Sequence, residues 1–182
     1  MSKVATEMAV AADYSAVETL RDGRRLEIRA LRPNDRDEFA AAAGRLSAES
    51  LYRRFFSAKR HFSEAERSFF VDVDFTNHVA LIALLEDGGG GRPAIAGGAR
   101  YVVTKPGEAE VAFAVIDQYQ GQGIGATLMR HLSAIAREAG LRQLTAEVLP
   151  HNKAMLKVFE KSGLRVATKR DSGTVHVTLG FG

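Results

Sequence analysis

Apolar and polar positions begin to alternate at Arg25: Leu26, Ile28 and Ala30 fall on one side, Glu27 and Arg29 on the other. Residues 25–31 therefore read as a first strand. Pro33, Asn34 and Asp35 supply helix-start chemistry, and residues 40–46 continue that helix. Ser47 to Ser50 opens a second helix, with Leu51, Tyr52, Phe55 and Phe56 at helical spacing. Ser63 and Glu66 open a third, which carries Phe69 and Phe70. Residues 78–85 are an unbroken apolar run, the pattern of a buried strand, and the glycines at 88–91 make a turn after it. Strands follow at 95–104 and 110–116, joined at Pro106 and Gly107. Residues 124–139 form an amphipathic helix with Leu128, Met129, Leu132, Ile135, Ala136 and Ala139 on one face and Gly140 as its stop. A strand at 143–149, a helix capped by Asn152 and ended by Gly163, and a hairpin of 164–169 with 174–179 complete the chain.

This order predicts an α/β protein: a mixed, mostly antiparallel central sheet of six to seven strands flanked by helices. The 182 residues fit one domain. Residues 1–20 carry Glu7, Asp13 and Glu18 and no continuous apolar stretch, so they are expected to be a flexible arm rather than a signal peptide. The domain is then expected over residues 21–182.

Composition narrows the chemistry. A formal net charge of +3 gives no case for nucleic acid and suits an anionic small ligand. The absence of cysteine removes disulfides, thiolate catalysis and cysteine-held metals. The five histidines show no ligand spacing, so no metal site is expected. No apolar run is long enough to span a membrane, and the cytoplasm is the expected location.

The segment from Glu108 to Ala126 is the richest in chemistry. An apolar strand with a carboxylate near its start runs through a polar turn into Gly121, Gly123 and Gly125, and a helix follows. Glycines there let backbone N–H groups approach a ligand, and a helix N-terminus favours a diphosphate. Gly121, Gly123 and Ala126 also satisfy the dinucleotide fingerprint, with Glu147 near the place of a ribose-binding acid. Four polar residues separate the strand from the first glycine, however, and fewer than 60 residues follow, too few for a doubly wound sheet. A Walker loop is excluded because no Gly-Lys-Ser/Thr follows. A glycine turn without a ligand is the remaining alternative.

Gln120, Gly123 and Gly125 stand in the pattern Q-x-x-G-x-G, which resembles the signature of the GNAT superfamily of acyl-CoA-dependent N-acyltransferases. Residues 109–113 resemble the strand that carries the base in lysine acetyltransferases of that superfamily. Residues 152–164, from Asn152 through Phe159, Glu160, Lys161 and Gly163 to Leu164, resemble its second motif. The likeness runs from about residue 24 to the end. A narrower one, carried by residues 28–35, 51–56 and 78–81, is to the GNAT domain of bacterial protein lysine acetyltransferases that modify AMP-forming acyl-CoA synthetases.

The resemblance implies a single GNAT-type domain with acetyl-CoA as co-substrate. Glu110 would be the general base, acting directly or through one water, since a lysine ammonium with a pKa of about 10.4 must lose a proton before attack. Its apolar neighbours Val111 to Ala114 would partly desolvate it, which favours the neutral form of a carboxyl. A surface carboxylate at a strand end is the plainer reading of the same residue. Glu108 is the fallback, expected in the turn and facing solvent. Backbone groups of Phe113, Ala114 and Val115 would pair with the pantetheine arm, and N–H groups of Gln122, Gly123, Ile124, Gly125 and Ala126 would hold the diphosphate beside Gly121. Gln120 would orient that loop, and Asn152 would bond the pantetheine besides capping its helix. Phe159 stands where many relatives place a proton-donating tyrosine, so it would be apolar wall and the general acid is unassigned; Tyr101 and Tyr119 are the candidates left. Eight Lys or Arg against four Asp or Glu between Arg137 and Asp171 could face the CoA phosphates. Asp72 and Asp74 form the one carboxylate cluster that a cationic amine could use. The expected acceptor is a protein bearing an exposed lysine. A small-molecule amine acetyltransferase and a non-catalytic CoA-binding module are the alternatives.

Overall fold

The computed structural model describes residues 11–56 and 61–182. Eight strands form one sheet: β1 (Ser15–Thr19), β2 (Arg25–Ala30), β3 (His78–Leu85), β4 (Ala94–Lys105), β5 (Glu108–Val115), β6 (Gln143–Val148), β7 (Arg165–Asp171) and β8 (Thr174–Gly180). Among the described residues five helices flank it: α1 (Arg36–Ala43), α2 (Ala48–Phe55), α3 (Glu64–Val71), α4 (Ile124–Glu138) and α5 (Lys153–Glu160). The spatial order is β1-β2-β3-β4-β5-β6-β8-β7. Every neighbouring pair is antiparallel except β5 and β6. The expected α/β class with a mixed, mostly antiparallel sheet is therefore found, with one strand more than the six to seven expected.

The extra strand is β1, and it corrects the expected arm: order begins before residue 21. Its register, Ser15 opposite Arg29 to Thr19 opposite Arg25, adds it to the edge of β2. Its larger apolar residue Val17 faces outward and is exposed, and only the small Ala16 shares the half-buried side with Glu18, so the inward hydrophobic signal is weak. Glu18 faces inward instead and binds α4: its Oε1 accepts from Arg130 at 2.7 Å and lies 2.7 Å from His131 Nε2. Residues 1–10 of the expected arm lie outside the described residues.

Local chemistry accounts for the rest. β3 is buried along its whole length between β2 and β4, which suits an unbroken apolar run. Ser47 caps α2 by accepting from the Ser50 N–H, and Ser63 with Glu66 forms a reciprocal capping box at α3. α4 buries Leu128, Met129, Leu132, Ile135 and Ala136 against the sheet. A buried ion pair ties β2 to the start of α1: Arg29 Nη1 and Nη2 each donate to the Asp35 carboxylate at 2.8 Å.

One topological feature prepares the site. β5 stays paired to β4 as far as Val115, but its pairing with β6 stops at Glu110 opposite Thr145. Beyond that point the two parallel strands diverge, leaving the β6-facing edge of residues 111–115 without a strand partner.

Candidate active site

The gap between β5 and β6 opens into a groove of about 750 Å³, within the usual range for a small-molecule site. Its floor is β5 from Glu110 to Val115. Gln120 to Gly123 with Gly125 and Ala126 form one wall, and Asn152, Met155 and Phe159 on α5 form the opposite one. Of the residues singled out in the sequence, Glu110, Phe113, Ala114, Val115, Gln120, Gly121, Gln122, Gly123, Gly125, Ala126, Asn152 and Phe159 all line this groove. Ile124 does not: its side chain is buried in the core as the first residue of α4, so only its backbone can serve a ligand.

The glycine loop is built for an anion. Gly123 is the N-cap of α4 with φ 88°, a left-handed conformation that a side chain strains. It turns the chain so that the first N–H groups of α4, which have no intrahelical acceptor, face the groove end. Gln120 Nε2 donates to Val115 O at 3.0 Å and to Ser50 Oγ at 3.2 Å, fastening the loop to the end of β5 and to α2. Arg24 donates to the Gln122 side-chain oxygen, so the β1–β2 turn braces the loop from outside.

Asp117 was not singled out in the sequence, yet it anchors this assembly. It accepts from Ser47 N at 2.9 Å, Ser47 Oγ at 2.7 Å and Ser50 Oγ at 3.0 Å. Burial works against its charge, but these donors outweigh it and hold the carboxyl below its ordinary pKa. The available signal was a carboxylate at the strand-to-loop turn together with two serines at a helix start; nothing local joins residues 70 apart.

Glu110 sits at the far end of the groove from the glycines. It is exposed, which corrects the expected desolvation: its strand neighbours Val111 and Ala109 turn to the opposite face and are buried. Glu108 is a strand residue rather than a turn residue. Its carboxylate accepts from Gln143 and lies 3.4 Å from Lys105 Nζ, and the Gln143 hydrogen bond first of all holds its pKa down. Phe159 is fully buried and packs edge-on against Phe113, with ring centroids 5.9 Å apart. Asn152 Oδ1 accepts from Met155 N at 3.3 Å, which leaves its amide nitrogen free to face the groove.

Two other expectations fall away from the groove. Tyr101 is buried outside its lining, and burial with the Asp74 charge pushes its pKa up to about 12. Asp74 uses one carboxylate oxygen to accept from the N–H groups of Thr76, Asn77 and His78, each at 2.9 Å, so it shapes a loop rather than a carboxylate pocket with Asp72. Tyr119, buried, does line the groove. The basic excess expected between Arg137 and Asp171 contributes Lys157 and Lys161 to it.

A family profile described as Acetyltransferase (GNAT) family matches residues 45–164, about two thirds of the chain and the whole of the groove's floor and both walls. The chain belongs to the GNAT acetyltransferase family. Members use acetyl-CoA, and the groove suits it: an open strand edge for the pantetheine amides, and a glycine loop with a helix N-terminus for the diphosphate. Among relatives, the acetyltransferase PA5475 of Pseudomonas aeruginosa is 36% identical over 140 residues, 76% of this chain and 74% of that protein. The acetyltransferase Pat of Mycolicibacterium smegmatis is 35% identical over 160 residues, 86% of this chain but 46% of that protein, so the chain spans about half of Pat's length. The GNAT domain of Streptomyces lividans PAT superposes with a TM-score of 0.81 at 34% identity, over 92% of this chain and 97% of that domain.

Proposed function

We propose that this GNAT acetyltransferase transfers acetyl from acetyl-CoA to the side-chain amine of a lysine on a partner protein, with Glu110 as the general base. The observation that carries the reading is the position of Glu110. It stands where β5 and β6 part, five residues and about 17 Å along β5 from Val115, after which the chain turns into the glycine loop; this separation supports reading its end of the groove as the acceptor end. A lysine entering from the Glu110 end meets a thioester delivered along the strand edge.

Each group then has a task. N–H groups of Gln122 to Ala126 hold the diphosphate, with Gln120 and Gly121 setting the loop. Backbone groups of Phe113, Ala114 and Val115 pair with the pantetheine as an added strand, and one of their N–H groups polarises the thioester carbonyl. Phe159 backs Phe113 as apolar wall, and Asn152 donates to the pantetheine. Glu110 takes one proton from the lysine ammonium. The amine nitrogen bonds to the acetyl carbon and the carbon–sulfur bond breaks. The thiolate, with a pKa of about 8.5, leaves with the second amine proton or one from water. The likeness to Pat and to the PAT domain supports a protein acceptor, and the resemblance carried by residues 28–35, 51–56 and 78–81 points to an AMP-forming acyl-CoA synthetase as the partner class.

The test is thiol release from acetyl-CoA with acyl-CoA synthetases, lysine peptides and small amines as acceptors, with Glu110→Gln alongside. Release with a synthetase, and an acetylated lysine in its digest, is the expected result. Release with small amines alone moves the reading to metabolite acetylation. Stabilisation by acetyl-CoA with no release from any acceptor makes the protein a CoA-binding module.

A further inference from the structure

The acceptor end of the groove contains a cation that the mechanism above does not use. α2 is fixed at its start by the Ser47 and Ser50 contacts to Asp117. At its end it places Arg53 and Arg54 in the groove lining, next to Glu110. Arg53 has a carboxylate already: its Nη2 donates to Glu49 at 2.6 Å. Its Nε is buried without a hydrogen-bond partner. Arg54 has neither. Among the described residues no acceptor lies within hydrogen-bond or ion-pair distance of its guanidinium, which rests on the Phe55 ring at 4.7 Å.

Arg54 is half-buried, and its guanidinium nitrogens remain open to the groove. Burial pushes the Arg54 pKa down, and Glu110 is the one charge that offsets it. Near it Arg100 is buried, and its pKa falls to about 9 through burial and then the Arg54 charge. Arg100 donates to Phe70 O at 3.1 Å and to His78 Nε2 at 2.9 Å, so it too has no carboxylate. Of these two arginines, only Arg54 is offset by the Glu110 charge. The Arg54 donors face the groove without an acceptor from the chain, so they are available to acceptor oxygens of a ligand.

We propose that Arg54 is a recognition residue for a carboxylate carried by the acceptor close to its reacting amine. The CoA phosphates are not the match, because the glycine loop that suits them lies at the opposite end of the groove. A carboxylate fits the planar fork of arginine bidentately, and it would leave Glu110 free for the amine. The carboxylate belongs either to an acidic residue flanking a lysine or to a free amino acid. This inference rests on the acetyl-CoA reading of the groove.

Calorimetric titration of the CoA complex tests it. The ligands are a lysine peptide flanked by glutamates, its glutamine counterpart, free lysine and lysine amide. The glutamate peptide, or free lysine if the source is an amino acid, should bind about tenfold or more tightly than its neutral partner. Arg54→Gln should abolish that difference and leave the acetyl-CoA Kd unchanged. Arg54→Lys, which keeps the charge without the fork, should retain a smaller preference and serves if Arg54→Gln does not fold. Equal binding of both charge pairs overturns the proposal. So does an Arg54→Gln variant that weakens acetyl-CoA alone, or that shifts the pH profile equally for charged and neutral acceptors. Thiol release in the same samples keeps the two readings apart. Charge-selective binding without release contradicts the transferase reading alone, and release without charge preference contradicts this inference alone.

Discussion

Gly97→Ala isolates the strand edge proposed to bind acetyl-CoA. Gly97 on β4 lies opposite Val115 on β5, at the end of the ladder beside the glycine loop. A Cβ on Gly97 would lie 2.8 Å from Ala114 O and 3.3 Å from Val115 Cα. Both are backbone atoms, so no flexible side chain can yield and the two strands must move apart. Overpacking of this kind costs about 1–3 kcal/mol. For a protein of this size that is a fall in Tm of roughly 2–12 °C. The displaced segment is the one that offers its free edge to pantetheine, so the acetyl-CoA Kd should rise roughly tenfold as well. Gly180→Ala is the control. Its Cβ would meet nothing nearer than 3.8 Å, and it should leave Tm and Kd within error. Thermal unfolding and calorimetry with acetyl-CoA provide both readings. A Gly97→Ala protein with unchanged Tm and Kd would refute the close-contact argument. A lowered Tm with unchanged Kd would refute the placement of pantetheine along residues 113–115.

Three further outcomes follow from other contacts. Asp35→Ala leaves the Arg29 guanidinium buried without its carboxylate, and should destabilise the protein by about 3–5 kcal/mol in chemical denaturation. Asp117→Ala frees the start of α2 and the turn before the glycine loop, and should raise the KM for acetyl-CoA roughly fivefold, equivalent to about 1 kcal/mol, with little change in kcat. His78 accepts from Arg100, and burial first, then the Arg100 charge, pushes its pKa down to about 4. The unfolded chain binds that proton near pH 6.5 while the folded protein does not. Stability should therefore fall as pH drops from about 6.5 to 4, and His78→Gln should flatten that slope in urea titrations.

Much of the site was legible because its signals are local. Gly123 and Gly125 announce a helix N-terminus, Ser47 and Ser63 announce caps, and the apolar run of 78–85 announces a central strand. Three kinds of feature were not legible. β1 escaped because its inward side carries only the small Ala16 and Glu18, which is stabilised by Arg130 and His131 more than 110 positions away. Asp117 escaped because its partners are two serines that any helix start could carry. The exposure of Glu110 is hidden because its apolar neighbours in sequence are not its neighbours in space. On a strand they alternate, and Val111 turns to the opposite face.

The central claim is that acetyl-CoA lies along β5 and that Glu110 takes the proton from the attacking amine. The most direct measurement is the pH dependence of kcat for the wild type and Glu110→Gln with one acetylated acceptor at saturating acetyl-CoA. Loss of a general base should lower kcat by about 10²–10⁴-fold at pH 7 and leave the KM for acetyl-CoA unchanged. The variant should then recover about tenfold per pH unit toward the lysine pKa of about 10.4, as solvent supplies the neutral amine. Parallel profiles, with the variant within threefold of the wild type at every pH, would contradict the role assigned to Glu110.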